Sequence, residues 1–297
     1  MQKVVLIGLG AVGLTYAVKL LTKCDLYILA DEERIKRYQK SKPVFNGKEQ
    51  DFEYILPSDK FIADLIIIAT KSYGLNSAIK SIENFVGENT RIISLINGIS
   101  SEEQIKNFYP QAKVLKSYFI GHSAVRVDNS VNQDGVGEIV IVKDDFIHDF
   151  FTKTGINFSM PEDINYSMWL KYTFNCYANP LSAILNMTFG ELRQNVNFID
   201  FAKKIINEVC LIAEKEGVKY IEKLQIDALE ALNKMCEEGK TSMLQDVLAG
   251  RKTEVDIFSG EIIKLGKKYN VQTPYNQALY DLIKIKEENN EHSIHTR

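Results

Sequence analysis

The chain has 297 residues, enough for one large domain or two of medium size. With 45% hydrophobic and 25% charged residues it has the composition of a protein that buries a core. Its 36 basic and 39 acidic residues leave a net charge of -3, which argues against the basic excess of a nucleic-acid binder.

Residues 3–8 (KVVLIG) predict a first strand, and 14–21 a helix behind it. Between them "GLGAVG" sets Gly8, Gly10 and Gly13 at GxGxxG spacing. A glycine loop that closes a strand and opens a helix is the context in which this spacing means dinucleotide binding. Gly8 serves the tight turn, Gly10 the approach of a pyrophosphate, and Gly13 close helix packing, with Leu9, Ala11 and Val12 completing the loop. One lysine before an apolar run also has the outline of a signal peptide, but the glycine spacing favours the strand and loop. A second strand, 25–30, ends at Asp31. Asp31 stands 18 residues after Gly13, where an acid holds the ribose 2′-OH of NAD; it equally suits a helix N-cap. Arg34 and Arg37 follow closely enough to meet the extra phosphate of NADP.

Strands 64–70 and 91–97 come next, with a helical pattern over 73–86, and 113–119 and 137–143 extend the series. The first four strands are continuous apolar runs, as expected when both faces of a parallel sheet are covered. Lys71 and Asn97 follow the third and fourth strands, where open α/β sheets bind ligands. A lysine after a strand is also an ordinary solvated residue, and Asn97-Gly98 an ordinary turn. Beyond Pro161 long helical patterns replace the strands, at 196–216, 223–238, 254–269 and 275–288. The expected architecture is α/β: an N-terminal Rossmann-like doubly wound sheet (1–161) followed by an all-helical C-terminal domain (162–297).

The segment "MWLKYTFNCYANPLSAI" (168–184) is mostly apolar, yet Lys171, Asn175 and Asn179 recur every fourth residue. On a helix over 168–178, Lys171 and Asn175 share a face. Pro180 disfavours helical geometry at Asn179, so a kink or reorganisation is expected there. Either the stripe is the solvated face of an amphipathic helix, or it lines a site and Lys171 is a proton donor with a lowered pKa. Downstream, Ser242 and Glu254 are the notable polar residues in "TSMLQDVLAGRKTEVDIFSGEI". Ser242 suits a helix cap and Glu254 a first helical turn as well as they suit a site.

Cys24, Cys176, Cys210 and Cys236 are scattered, and the four histidines, His122 among them, lack ligand spacing. No disulfide framework or metal site is expected, and a reducing cytoplasm fits. No run of 18 apolar residues suggests a membrane span, and the polar end "EENNEHSIHTR" is expected to fray.

Taken in order, "GLGAVG", "ATKSYG", "INGI", "WLKYTFNCYANPLSAI", "GELR", "TSMLQD", "KTEVDIFSGEI" and "VQTPYN" resemble the ketopantoate reductase (2-dehydropantoate 2-reductase) family over nearly the whole chain. The lysine–asparagine helix and the "TEVD" segment are its specific marks. The resemblance implies a Rossmann domain and a helical domain with the active site in the cleft between them. It also implies NAD(P)H-dependent reduction of 2-dehydropantoate to pantoate on the route to coenzyme A. It places the catalytic pair at Lys171 and Glu254, and substrate binding at Asn175, Asn179, Ser242 and Asn97. Cofactor binding falls on the glycine loop, Asp31, Lys71, Asn97 and Glu254. NADP(H) is the cofactor that the resemblance implies. NAD(H) is the alternative, because Asp31 stands where many relatives carry an arginine. Phe189 stands where some relatives have a substrate-touching asparagine, so a paralogous reductase of another branched 2-oxo acid is a second reading. A non-catalytic NAD(P)-binding regulator is a third, disfavoured by the presence of both Lys171 and Glu254. A homodimer is compatible with the sequence, which does not specify one.

Overall fold

The central strands form where β-branched and aliphatic runs occur. A computed structural model describes residues 1–121 and 123–295. Its first eight strands are β1 (Lys3–Ile7), β2 (Asp25–Leu29), β3 (Val44–Phe45), β4 (Lys48–Glu49), β5 (Glu53–Ile55), β6 (Leu65–Ile68), β7 (Arg91–Ser94) and β8 (Lys113–Leu115). Six of them make one sheet in the order β5-β2-β1-β6-β7-β8, with every pairing parallel. Counting only the strands of that sheet, the order is 3-2-1-4-5-6, the dinucleotide-binding arrangement, whose strand order reverses beside the first strand.

Alternation along these strands sends side chains to two cores. Val4, Leu6, Ile28 and Ile67 pack on one face with Leu14, Ala17 and Leu20 of α1 (Ala11–Leu20). Val5, Ile7, Ile66 and Ile68 pack on the other with Leu75, Ile79 and Ile105. That double coverage is why these runs are apolar throughout. The remaining helices of this unit are α2 (Glu32–Lys40), α3 (Leu75–Ser81), α4 (Ser101–Phe108) and α5 (Asp145–Thr154).

Several expectations are corrected. The pattern over 73–86 is one short α-helix flanked by 3-10 turns at Ser72–Gly74 and Glu83–Phe85. The run 113–119 is two strands in different sheets, β8 and β9 (Ser117–Ile120). Strands β9, β10 (Ser123–Val127), β11 (Ser130–Asp134), β12 (Glu138–Ile141) and β13 (Phe158–Ser159) are divided between two smaller sheets. These have the orders β10-β11-β3-β4 and β13-β12-β9.

One compact unit ends at Ile164 and a second begins at Asn165. The second is helical: α6 (Ile164–Leu185), α7 (Phe189–Gln194), α8 (Val196–Lys215), α9 (Ile221–Glu230), α10 (Ser242–Leu248), α11 (Ser259–Tyr269) and α12 (Pro274–His295). Helix α6 continues through Pro180, where the sequence suggested a kink or reorganisation. Its neighbours hold it there: Tyr177 OH donates to Ala228 O at 3.0 Å, and Asn179 is bonded from α10. The pattern over 223–238 ends earlier, at Glu230, and continues only as a 3-10 turn. Helix α12 runs to His295 where fraying was expected; His122, Thr296 and Arg297 lie outside the described residues. No helix among those residues is long and apolar enough to cross a membrane.

Candidate active site

The glycine loop is built by sterics. Gly8 has φ +96°, and a Cβ there would meet Ala69 O at 2.7 Å, so only glycine fits between β1 and the end of β6. A Cβ on Gly13 would lie 1.8 Å from Gly8 O, which is how α1 packs directly on the loop. Gly10 is different. It is the N-cap of α1, and its missing Cβ faces open space. No side chain caps α1 and no acid stands in its first turn, so that helix end and the space beside Gly10 fit a pyrophosphate. Lys71 and Asn97 follow β6 and β7 at the same C-terminal edge. Lys71 is exposed and N-caps a 3-10 turn; Asn97 is half-buried and precedes Gly98 at φ +104°.

Asp31 takes the capping role that the sequence left open. Its Oδ1 accepts from Arg34 N at 2.7 Å at the start of α2, and its Oδ2 lies 3.4 Å from Arg34 Nε. Both side chains are exposed, so the ion pair is weak in itself. It nonetheless sets a cation beside the acid.

In the second unit the lysine–asparagine stripe is not a solvated face. No residue from 166 to 184 is exposed. Asn179 is buried, and its Oδ1 accepts from Met243 N at 3.3 Å and Ser242 Oγ at 3.4 Å. Ser242 is thus not the cap of α10. Thr241 is, accepting from Leu244 N at 3.1 Å, which leaves the Ser242 hydroxyl turned to Asn179. Glu254 is also buried and opens the 3-10 turn Val255–Ile257, not the first turn of a long helix.

Lys171 and Asn175 are half-buried. Although Lys171 reaches the surface at one edge, the protein around its ammonium desolvates it and lowers its pKa from 10.5 to about 7. The charge of Glu254 opposes that shift without cancelling it. One residue on, Tyr172 OH donates to Ile257 O at 3.1 Å and Phe258 O at 3.0 Å, tying the lysine helix to the segment that carries Glu254. The structure therefore brings Lys171 under the influence of Glu254, and Asn179 to Ser242, across 83 and 63 residues of sequence respectively. Thr241 and Tyr172 escaped the sequence reading; the S/T-before-apolar signal at Thr241 was present but was assigned one residue late. Among the described residues no cluster suited to a metal ion exists, and the cysteines are free.

Residues 4–144 match the family model for ketopantoate reductase PanE/ApbA, and 163–287 match its C-terminal counterpart. The chain belongs to the ketopantoate reductase family. Among its relatives, a 2-dehydropantoate 2-reductase of Aquifex aeolicus is 29% identical over 96% of this chain and 97% of its own. Another of that name, from Pyrococcus horikoshii, is 31% identical over 75% of this chain and 76% of its own. A D-mandelate dehydrogenase solved with NADH and anilino(oxo)acetate shares the fold, with a TM-score of 0.86, 24% identity and 98% and 100% coverage. Membership of the ketopantoate reductase family makes this chain an NAD(P)-dependent oxidoreductase with a Rossmann fold.

Proposed function

We propose that the protein reduces 2-dehydropantoate to pantoate, the step that supplies pantothenate and coenzyme A synthesis. The observation that carries this reading is Lys171, an amine with its pKa drawn down to about 7, acting with Glu254 in a chain of this family. When bound, the reduced nicotinamide supplies hydride to the C2 ketone. The glycine loop and the uncapped end of α1 would hold its pyrophosphate, with Asp31, Lys71 and Asn97 as further contacts. Negative charge then grows on the ketone oxygen, and the Lys171 ammonium stabilises it and delivers a proton there. General-acid help of this kind is worth ~10²–10⁴ in rate. Glu254 keeps the ammonium oriented and raises its proton affinity, opposing the desolvation. Asn175, Asn179 and Ser242 bind the hydroxyl and carboxylate of the acid, a positioning role.

NADPH is the expected donor, with Arg34 masking Asp31; NADH is the alternative in which Asp31 takes the ribose. A second substrate, another branched 2-oxo acid, is favoured by one feature. Half-buried Phe189 packs against Phe174 at 6.2 Å and offers no hydrogen bond where an asparagine would. The test follows loss of reduced-cofactor absorbance with ketopantoate, with NADPH and NADH in parallel. Turnover with either supports the proposal, and their ratio reads the role of Asp31. Folded protein that binds cofactor yet turns over neither would sink the named substrate and move attention to other 2-oxo acids.

A further inference from the structure

Glu254 sits on a single 3-10 turn, too short an element to fix a carboxylate by its own rigidity. The residues on either side of it are gripped from α12. Glu287 Oε1 accepts from both Thr253 N and Thr253 Oγ1, each at 2.7 Å. Lys284 Nζ donates to Asp256 Oδ2 at 3.1 Å and to Glu287 Oε2 at 3.2 Å. Tyr280 OH donates to Asp256 Oδ1 at 2.9 Å. Tyr280, Lys284 and Glu287 are spaced i, i+4, i+7, so one face of α12 presents all three. The Glu287 side chain is only 13% exposed and Thr253 is buried, so the Glu287–Thr253 bonds are shielded from competing water, whereas Asp256 is exposed. From the other side, Tyr172 holds Ile257 O and Phe258 O.

We infer that Glu287, aided by Lys284 and Tyr280, is a positioning residue that sets Glu254 against Lys171 by clamping Thr253 and Asp256. The inference rests on the proposed role of Lys171 and Glu254. The groups that face this clamp are Lys284 and Tyr280 from α12 itself, Asp256 from the opposing turn, and the uncharged donors of Thr253. If the clamp opens, Glu254 shifts. Because its charge raises the proton affinity of Lys171, the lysine then loses its proton at lower pH.

The experiment compares Glu287→Ala and Glu287→Gln in the full-length enzyme, with Lys171→Ala as control, reading kcat, KM, the pH profile and Tm. Glu287→Ala is expected to lower kcat about 10- to 100-fold with KM little changed, the scale of a misplaced catalytic group. The alkaline limb of its kcat/KM profile for reduction should move to lower pH. Glu287→Gln keeps an acceptor for both Thr253 donors and should restore most of kcat and the original limb. If Glu287→Ala does not fold, Thr253→Val, which removes one of the two bonds, is read in the same way with a smaller shift in the same direction. A folded Glu287→Ala with wild-type kcat and an unmoved limb, or one that loses only Tm, overturns the inference. An active Lys171→Ala would overturn the underlying assignment instead.

Discussion

The glycine loop and the lysine helix are both candidate ligand sites, but they are made in opposite ways. The loop is a backbone device of six consecutive residues, with Gly8 and Gly13 demanded by backbone contacts under 3 Å. The lysine site is a side-chain device drawn from α6, α10, the Glu254 turn and α12. A local site is legible from spacing; a dispersed one acquires its chemistry only when distant segments pack. The difference also divides the expected consequences of mutation, between folding and affinity on one side and turnover on the other.

The largest effect should come from Lys171→Ala. It is expected to lower kcat by ~10²–10⁴ with cofactor affinity unchanged, checked by steady-state kinetics and a cofactor titration. An equal loss of cofactor binding would break the division between the two sites. Within the loop, Gly13→Ala and Gly10→Ala should part company. The Gly13 Cβ has no room, and overpacking against backbone should cost about 3 kcal/mol or more, read as a fall in Tm or failure to fold. Gly10→Ala meets nothing within 4 Å, so Tm should hold while cofactor affinity drops about tenfold, or ~1.4 kcal/mol.

The pH profile sharpens the lysine side. As the proposed donor, Lys171 must be protonated for reduction, and its pKa is lowered to about 7. In the free enzyme, kcat/KM for reduction should therefore be level below about pH 7 and fall above it, whereas oxidation of the alcohol should rise through the same window. A profile level to pH 9 would remove Lys171 as the titrating acid. The smallest effect belongs to Asp31→Ala. Loss of the cap should cost about 1 kcal/mol of stability, and release of Arg34 should raise the NADPH-to-NADH ratio of kcat/KM. A ratio that falls would mean that Arg34 does not meet the 2′-phosphate.

Much of the fold was legible because burial on both faces leaves an unmistakable mark: β1, β2, β6 and β7 lie within the expected runs, shortened by a residue or more at their ends. Strand β5 was missed because three residues at the edge of a sheet, one of them the exposed Glu53, carry no apolar run. The run 113–119 misled because its chain leaves one sheet and enters another at Lys116, a change of partner with no compositional signal. Pro180 lies inside α6, where tertiary context outweighs local preference. Its local preference against a helix was overridden by the tertiary bonds to Tyr177 and Asn179.

The amino-acid sequence by itself determined the βαβ rhythm, the glycine loop and the change to helices, because each shows as periodicity or as a spacing of a few residues. It also displayed Lys171, Asn175 and Asn179 as a stripe, without deciding between a wet surface and a site. Tertiary structure excluded the wet surface: it buried Asn179 against Ser242, kept residues 166–184 from exposure, and desolvated the Lys171 ammonium under the charge of Glu254. It also assigned the cap of α10 to Thr241 and brought Glu287 to Thr253. The reason is physical. A side chain's proton affinity and its hydrogen-bond partners depend on what surrounds it in space, and for Lys171 those surroundings include a residue 83 positions further along the chain.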